Sequence, residues 1–222
     1  MANVLKQQES LDSAFKKRSG LGLVCVFGGG IILLFLTKVA VIGVILIAIG
    51  VVLIGEGHKF QVGAVGESRV AEVLTSFPDN WYIFNDINVG RSQIDHIVVC
   101  PKGVYTIETK NYRGTIYGNA KNQDWSQVIN YGYKTKFYNP VKQGNGHSVA
   151  LSKYLEENGF NKIWINTIVI FTKPRVKLKV YSPEVPVIYL SDLSEYFNEQ
   201  KQVMSPSQCN KIAMCVSKLI PA

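Results

Sequence analysis

Apolar residues are concentrated in one long block near the start of the chain. Between residues 21 and 55 the only charged side chain is Lys38. One straight helix over this block would run about 52 Å at roughly 1.5 Å per residue, whereas the hydrocarbon core of a bilayer is about 30 Å thick. Two helices that turn at Thr37 and Lys38 would each reach about 24 Å, with the lysine extended to the headgroups. The pattern predicts a transmembrane hairpin over residues 21–55, or one long tilted span; a buried helix of a soluble core is disfavoured at this length.

Basic residues flank the apolar block on both sides. Lys16, Lys17 and Arg18 precede it, and His58 and Lys59 follow it. Because basic flanks stay on the cytoplasmic side, residues 1–20 are expected to form a cytoplasmic arm. A hairpin then returns the chain to the cytoplasm, whereas a single span would export everything after residue 55. The expected location is the bacterial inner membrane, with the lipid bilayer as a partner and residues 61–222 in the cytoplasm.

Downstream of the block, the hydrophobic pattern alternates between helical and strand periods. Residues 66–77 carry a helical stripe, and strand-like runs lie at 81–89, 93–100, 103–110, 164–171 and 187–190. Residues 114–118 are expected to extend the sheet. A helix is expected from Asn139 as N-cap, with Pro140 at its first position, to about residue 157, and closing helices from Ser191 and Ser205. This order predicts one mixed α/β domain over residues 61–222.

Composition and charge narrow the class of protein. The chain has 24 lysines and arginines against 16 aspartates and glutamates, a net charge of +8, and 47% of its residues are hydrophobic. This content is too apolar for a disordered chain. Four cysteines without a CxxC pair support neither a disulfide framework nor a zinc site. The basic charge is compatible with nucleic acid as a partner.

Two of the predicted strands carry the candidate chemistry. Alternation places Gln93 and Asp95 on one face of the second strand, and Glu108 and Lys110 on one face of the third. Antiparallel pairing across the turn at residues 101–102 would bring Asp95 and Glu108 together. Two neighbouring carboxylates repel each other unless a proton or a cation lies between them. Hard cations such as Mg²⁺ prefer oxygen ligands, and the carbonyl of Thr109 is suitably placed as a third ligand.

These residues match the D…(D/E)xK signature of the PD-(D/E)XK nuclease superfamily, and the surrounding sequence resembles the nuclease-related domain (NERD) family over about residues 63–155. The matching positions are Gly66, Glu67, Asn85, Asp86, residues 93–99, Gly103, Val104, residues 107–111, Gly114, Trp125, residues 139–141, Gln143 and His147. The resemblance implies a restriction-endonuclease-like fold: a mixed sheet flanked by helices. It also implies hydrolysis of phosphodiester bonds with Mg²⁺ or Mn²⁺.

Roles for individual residues follow from this resemblance. Asp95 and Glu108 would ligate the metal, and Lys110 would position the attacking water or neutralise charge in the transition state. Glu67 would hold a metal-bound water or a second ion, or it is only a favourable charge in the first turn of a helix. Gln93 would orient the phosphate or Asp95, or it caps an exposed strand end.

Gln143 and His147 are four residues apart and therefore share one helix face. They contact either DNA or the strand layer. His96 alternates away from Asp95, which favours a packing role. Further contacts to DNA or RNA are expected from a basic and aromatic region, unless it is an ordinary loop; its residues are Lys121, Lys134, Lys136, Lys142, Tyr131, Tyr133, Phe137 and Tyr138. The basic run at residues 173–179 is expected to form a charged edge strand or to face anionic lipid.

The sequence therefore supports two hypotheses of different kinds. The first is a membrane-anchored, Mg²⁺-dependent nuclease that acts on DNA in preference to RNA. The second is a membrane-tethered module that binds nucleic acid, or serves as a scaffold, without useful turnover. The complete set of Asp95, Glu108 and Lys110 favours the enzyme.

Overall fold

The computed structural model of the protein describes residues 3–5, 11–35, 40–129 and 132–220. The chain forms two compact units, one of residues 9–65 and one of residues 66–222 together with residues 1–8.

The smaller unit is built from two helices that approach each other closely at glycines. Helix α1 spans Leu11–Phe35, and α2 spans Ala40–Thr75 and continues beyond the unit. A Cβ atom added at Gly29 would lie 2.6 Å from the carbonyl oxygen of Gly43. One added at Gly50 would lie 2.6 Å from the carbonyl oxygen of Gly22. Glycine at these positions is what allows the two backbones to pack against each other in antiparallel order.

The helices differ from those expected over residues 21–55. Helix α1 begins ten residues before the apolar block, and α2 includes both the second apolar segment and the helix expected at residues 66–77. No proline interrupts the polar residues before the first apolar segment or after the second, so α1 begins before the apolar block and α2 ends well after it. The expected turn at Thr37 and Lys38 lies outside the described residues. Among the described residues, no helix is long and apolar enough to cross a membrane, so the predicted transmembrane segments are not supported.

The larger unit contains a six-stranded mixed sheet with strand order β1-β2-β3-β4-β8-β10. Its strands are β1 Asn3–Leu5, β2 Tyr82–Val89, β3 Ser92–Cys100, β4 Gly103–Lys110, β8 Ile165–Phe171 and β10 Val187–Tyr189. The three central strands β2, β3 and β4 are antiparallel neighbours, and β4 pairs in parallel with β8. The mixed α/β prediction is confirmed.

Helices cover both faces of this sheet. On one face α3 (Pro140–Glu157) and α5 (Pro206–Ser217) pack on a core that includes Phe84, Ile97 and Leu151. On the other face the last turns of α2 and helix α4 (Leu193–Glu199) pack on a second core that includes Val98 and Ile107. The expected caps are confirmed: the Asn139 side chain accepts hydrogen bonds from two amides of the first turn of α3, and Ser205 forms a capping box.

A second, four-stranded sheet has the order β7-β6-β5-β9. Its strands are β5 Thr115–Asn119, β6 Asp124–Val128, β7 Lys134–Tyr138 and β9 Lys177–Tyr181. Residues 114–118 were expected to extend the main sheet, and this expectation is wrong: the chain turns at Gly114 (φ +81°) and starts a new sheet. The alternative of an ordinary loop for the basic and aromatic region is wrong as well, because β6 and β7 lie there. The basic run at residues 173–179, expected to form an edge strand, does so in part: residues 177–179 begin the edge strand β9, and residues 173–176 precede it.

Candidate active site

The candidate site lies where the pairing of β3 with β4 stops. The ladder between the two strands runs from Cys100 opposite Gly103 to His96 opposite Ile107, and the next residues, Asp95 and Glu108, are not paired. At this point a side chain replaces the backbone as the hydrogen-bond acceptor: Oδ2 of Asp95 accepts a 2.7 Å hydrogen bond from the amide of Thr109. Asp95 is also close enough to Glu108 for the charge of Glu108 to raise its pKa, so the predicted proximity of Asp95 and Glu108 is present.

The backbone of Thr109 faces Asp95. The carbonyl of the next residue, Lys110, accepts a hydrogen bond from Thr172 on the opposite side of the strand. Both backbone groups of one strand residue point to the same neighbour, so the Thr109 carbonyl lies on the Asp95 side together with its amide. This direction is the one needed for the Thr109 carbonyl to act as a ligand.

Glu108 and Lys110 lie on the face of β4 that is covered by α3, as alternation predicted. The Glu108 side chain is only 1% exposed, and its Oε1 lies 2.6 Å from Lys110 Nζ. Lys110 also donates a 3.0 Å hydrogen bond to Oε1 of Gln143 on α3. The ammonium group is thus held between one carboxylate and one amide, so its position is fixed by two partners.

His147 lies one turn further along α3 and faces the other oxygen of Glu108. Its Nδ1 is 3.4 Å from Glu108 Oε2, beyond a good hydrogen bond, and neither atom has a hydrogen-bond partner among the described residues. Burial and the charge of Lys110 lower the pKa of His147, so the imidazole is neutral at pH 7. Gln143 and His147 do share one helix face, and that face contacts the strand layer.

Helix α3 can approach the strands this closely because of Gly144. A Cβ atom added there would lie 2.5 Å from Cγ2 of Thr167 on β8. Directly below, Ser148 of α3 is hydrogen-bonded at 2.6 Å to both Thr106 and Thr167. This buried hydroxyl chain ties the helix to β4 and β8 under the Glu108 carboxylate.

Glu67 reaches the site from the opposite layer, on α2. The neighbouring Gly66 packs on the ends of β4 and β8, where an added Cβ would lie 2.7 Å from Asn111 Cβ and 3.1 Å from Thr172 Oγ1. Glu67 is well inside a helix of 36 residues, so the interpretation as a first-turn helix charge is wrong.

Asp86 belongs to the same cluster and was not singled out as a site residue. The register of β2 and β3 places it opposite Asp95. The two residues are not paired, because the backbone of Asp86 is left-handed, with a φ of +55°. Its Oδ1 accepts a hydrogen bond from the amide of Gln93, so Gln93 contacts Asp86 rather than Asp95. The signal was available, since antiparallel register alone places residue 86 beside residue 95; the backbone change at Asp86 was not visible in the sequence.

Electrostatics set this cluster apart from the rest of the domain. Burial, with the nearby charges of Asp95 and Asp86, raises the pKa of Glu67 to about 8. Burial and the charge of Glu108 likewise raise the pKa of Asp95 to about 8. Burial raises the pKa of Glu108 as well. Burial alone would lower the pKa of Lys110, but the adjacent carboxylates outweigh it and raise that pKa.

The donor atoms at this site are mainly oxygens. No three His, Cys, Asp or Glu side chains among the described residues are grouped closely enough to hold a metal by themselves. Two carboxylates and a backbone carbonyl nevertheless suit Mg²⁺, which retains several waters and commonly uses one or two protein carboxylates. Oε2 of Glu108 has no hydrogen-bond partner among the described residues, and the pKa values of the carboxyl groups are raised. Both features are expected where a site has more negative than positive charge.

Other motif residues have structural roles. His96 is buried, its Nδ1 is 2.8 Å from Asn85 Oδ1, and burial lowers its pKa to about 3, in agreement with the packing role. Trp125 is buried, and its Nε1 donates to the carbonyl of Asn119. Asn139 donates to three carbonyls of the turn between β5 and β6 while it caps α3.

The basic and aromatic residues of the 121–142 region are dispersed. Lys134, Lys136 and Tyr138 are exposed on β7, and Tyr133 is exposed just before it. Phe137 points inward and packs on Tyr112 and Trp125. Lys121 lies in the turn after β5 and Lys142 in the first turn of α3; Tyr131 lies outside the described residues.

The fold and this cluster define a mixed α/β protein with a carboxylate–lysine site at a sheet edge. The sequence profile of the nuclease-related domain (NERD) family matches residues 62–172, half of the chain. The chain therefore belongs to the nuclease-related domain family, as the resemblance indicated.

Two proteins are similar to the chain over part of their length. An uncharacterised protein of Bacillus anthracis is 34% identical over 142 residues, which cover 60% of this chain and 64% of that protein. A probable kinase, PglW, of Streptomyces coelicolor is 24% identical over 100 residues, which cover 45% of this chain but 6% of that protein. The chain thus spans less than two thirds of either relative. Among solved structures, none matches the chain.

Proposed function

We propose that the protein is a metal-dependent nuclease that hydrolyses phosphodiester bonds of nucleic acid, DNA in preference to RNA. The observation that carries the proposal is the convergence of Asp95, Glu108, Lys110 and Glu67 at one sheet edge, with raised carboxyl pKa values. Several carboxylates that share one lysine in a partly buried site destabilise a fold, so they point to a ligand or a reaction. Membership of the nuclease-related family supports the reaction class, and the helix-flanked mixed sheet supports a restriction-endonuclease-like fold.

Asp95, Glu108 and the Thr109 carbonyl are the residues that would hold Mg²⁺ or Mn²⁺. A bound divalent cation of this kind supplies positive charge to a phosphate and lowers the pKa of a bound water. The protein's own contribution is a fixed geometry: the Asp95 carboxylate is held by the Thr109 amide, and the Glu108 carboxylate by Lys110. Glu67, from the other helical layer, would hold a metal-bound water or a second ion at the edge of the cluster.

Lys110 acts as a charged donor and not as a general base. Its pKa is raised, so the amine stays protonated at neutral pH. Gln143 and Glu108 hold the ammonium group in place, and one of its three N–H donors remains for a phosphate oxygen or the attacking water. Such a preorganised donor stabilises the negative charge that develops on the phosphate.

Gln93, Gln143 and His147 are supporting residues in this proposal. Gln93 is held by Asp86, and Gln143 by Lys110, so both position charged groups at the site. His147 faces Glu108, with 3.4 Å between its Nδ1 and Glu108 Oε2, so it lies beside the carboxylate that would ligate the metal.

The test uses the purified full-length chain with single- and double-stranded DNA and RNA, in Mg²⁺, Mn²⁺ or EDTA. We expect cleavage that needs the cation and falls at least about 100-fold in Lys110→Ala and Asp95→Asn. Lys153→Ala removes an exposed lysine of α3 and should cleave like the wild type, and thermal melting shows whether each variant is folded.

Three outcomes would overturn the proposal. Cleavage that persists in both site variants would place the activity elsewhere. Cleavage in EDTA would exclude a dependence on the cation. Binding of nucleic acid by the folded protein without any cleavage would support the binding or scaffold module instead.

A further inference from the structure

The second sheet has two unlike faces. Side chains on its inner face, such as Ile116, Trp125 and Phe137, are packed in a core with Val169 and Phe171 of the main sheet. The outer face points to solvent. On the described strands it consists of Thr115, Tyr117, Asn119, Asp124, Ser126, Val128, Lys134, Lys136, Tyr138, Lys177, Lys179 and Tyr181.

Strand register arranges these residues in rows across the sheet. Lys136, Ser126, Tyr117 and Lys179 form one row, because each is paired with the next. The row beside it begins with Lys134 on β7 and ends with Lys177 on β9. Lysines therefore line both edges of the outer face, about 14 Å apart at roughly 4.8 Å per strand.

Three tyrosines accompany these lysines: Tyr117 lies in the row between Lys136 and Lys179, and Tyr138 and Tyr181 follow the lysines on β7 and β9. Tyr117 is 43% exposed, Tyr138 46% and Tyr181 62%. The ammonium of Lys179 lies 5.4 Å from the centre of the Tyr117 ring. Exposed aromatic rings on a regular sheet provide flat surfaces on which nucleic-acid bases stack, at about 1–3 kcal/mol per base.

The charge of the outer face suits a polyanion. It holds four lysines and one carboxylate, Asp124, and none of the ion pairs among the described residues involves these lysines. A lipid surface would also attract lysines, but ring faces flanked by cations on two sides fit a chain that alternates bases and phosphates. The bases must be unpaired, because stacking on tyrosine requires rings that are free of a duplex.

This face begins close to the candidate active site. The strands β4 and β8 of the main sheet continue, after four and five residues, as the neighbouring strands β5 and β9. Thr115 is five residues after Lys110, so their Cα atoms are at most about 18 Å apart.

We infer that the outer face of the second sheet binds single-stranded nucleic acid, with bases stacked on the three tyrosines and phosphates paired with the four lysines. This surface goes beyond the proposed hydrolysis. It contains none of the carboxylates of the candidate active site and binds whether or not the site cleaves.

The experiment measures binding of a fluorescent 20-nucleotide oligodeoxynucleotide, single-stranded or as a duplex, to the full-length chain in EDTA. In the variant Tyr117→Ala/Tyr138→Ala/Tyr181→Ala we expect Kd for the single strand to rise at least about 10-fold, with little change for the duplex. The triple Tyr→Phe variant keeps the rings and should bind like the wild type. Because EDTA prevents cleavage that depends on the cation, failure of this inference is separate from failure of the proposed activity.

The lysines of the outer face are tested against a control variant in which the net charge changes by the same amount. Lys→Gln changes at 134, 136, 177 and 179 should weaken single-strand binding at least about 10-fold and reduce the salt slope by about 0.7 per lysine. The same change at Lys153, Lys201, Lys211 and Lys218, exposed lysines outside the second sheet, should have little effect.

If both lysine variants lose the same affinity for the single strand, net charge alone explains the binding and the inference is wrong. Unchanged single-strand binding in the Tyr→Ala variant would also overturn it. Vesicles of phosphatidylglycerol supply the remaining comparison: if the outer-face lysines control vesicle binding and not oligonucleotide binding, the partner is an anionic membrane and the inference is wrong.

Discussion

The site around Asp95 and the outer face of the second sheet both contain many charged side chains. The two regions differ in how far these side chains are shielded from water. Around Asp95, carboxylates from three strands and one helix lie together; Asp86 and Glu108 are buried, Glu67 and Asp95 are half-buried, and the pKa values of Glu67 and Asp95 rise to about 8. On the outer face, four lysines are spread over two edge strands in water.

The difference lies in the free energy of each arrangement. Exposed like charges repel weakly in water, so the lysines have little effect on stability until a polyanion arrives. Buried like charges destabilise the fold continuously unless protons or cations neutralise them. The outer face is therefore suited to binding a polyanion, whereas the carboxylate cluster stores electrostatic strain that a cation can relieve.

The largest expected effect is a dependence of stability on pH and on cations. Folding raises the pKa of Glu67 and Asp95 from about 4 to about 8, so the folded state binds more protons than the unfolded state in this range. The free energy of unfolding in EDTA should therefore fall as pH rises from about 4 to about 8, by about 3 kcal/mol after allowance for partial exposure. Urea unfolding measured by circular dichroism checks this, and Mg²⁺ should restore stability at pH 8.

Two carboxylate variants sharpen this test. Asp95→Asn keeps an acceptor for the Thr109 amide but removes a half-buried charge next to Glu108, so it should stabilise the protein at pH 8 in EDTA and reduce the effect of Mg²⁺. Asp124→Asn removes an exposed carboxylate of the second sheet and should change neither. A stability that is flat between pH 5 and pH 8 would show that the cluster is solvated rather than strained.

A smaller effect is expected from the glycines that allow α3 to cover the cluster. Gly144→Ala places a methyl group against Thr167 and should destabilise the protein by about 1–3 kcal/mol. Gly146→Ala, on the same helix with nothing within 4 Å, should stabilise it by about 0.5–1 kcal/mol. Thermal melting of both variants gives the comparison, and equal effects would mean that α3 does not need its close approach.

Sequence patterns predicted the features that depend on regular alternation. Glu108 and Lys110 share a face because β4 is an uninterrupted strand, and Gln143 and His147 share a face because α3 is an uninterrupted helix. Asn139 and Ser205 were predictable as caps because capping is local chemistry between a side chain and the next turn.

The parts that failed depend on backbone changes or on tertiary packing. The left-handed conformation of Asp86 breaks the alternation of β2, so the partner of Gln93 could not be assigned. The strands β6 and β7 have five residues each, and their polar outer positions look like those of a loop. The continuity of α2 was missed because a change from apolar to polar residues resembles a boundary, although no residue there breaks a helix.

The length of α2 has a practical consequence for the isolation of residues 61–222 as a separate domain. The composition suggests a cut at residue 61, which lies in the middle of this helix. In such a fragment Gly66 and Glu67 would lie in the first two turns after a new end, where helices fray for lack of backbone partners. The fragment would keep Asp95, Glu108 and Lys110, but Glu67 would no longer be held by a complete helix. If residues 61–222 cleave weakly and the whole chain cleaves fully, the cause is the cut through α2 and not the lack of a catalytic residue.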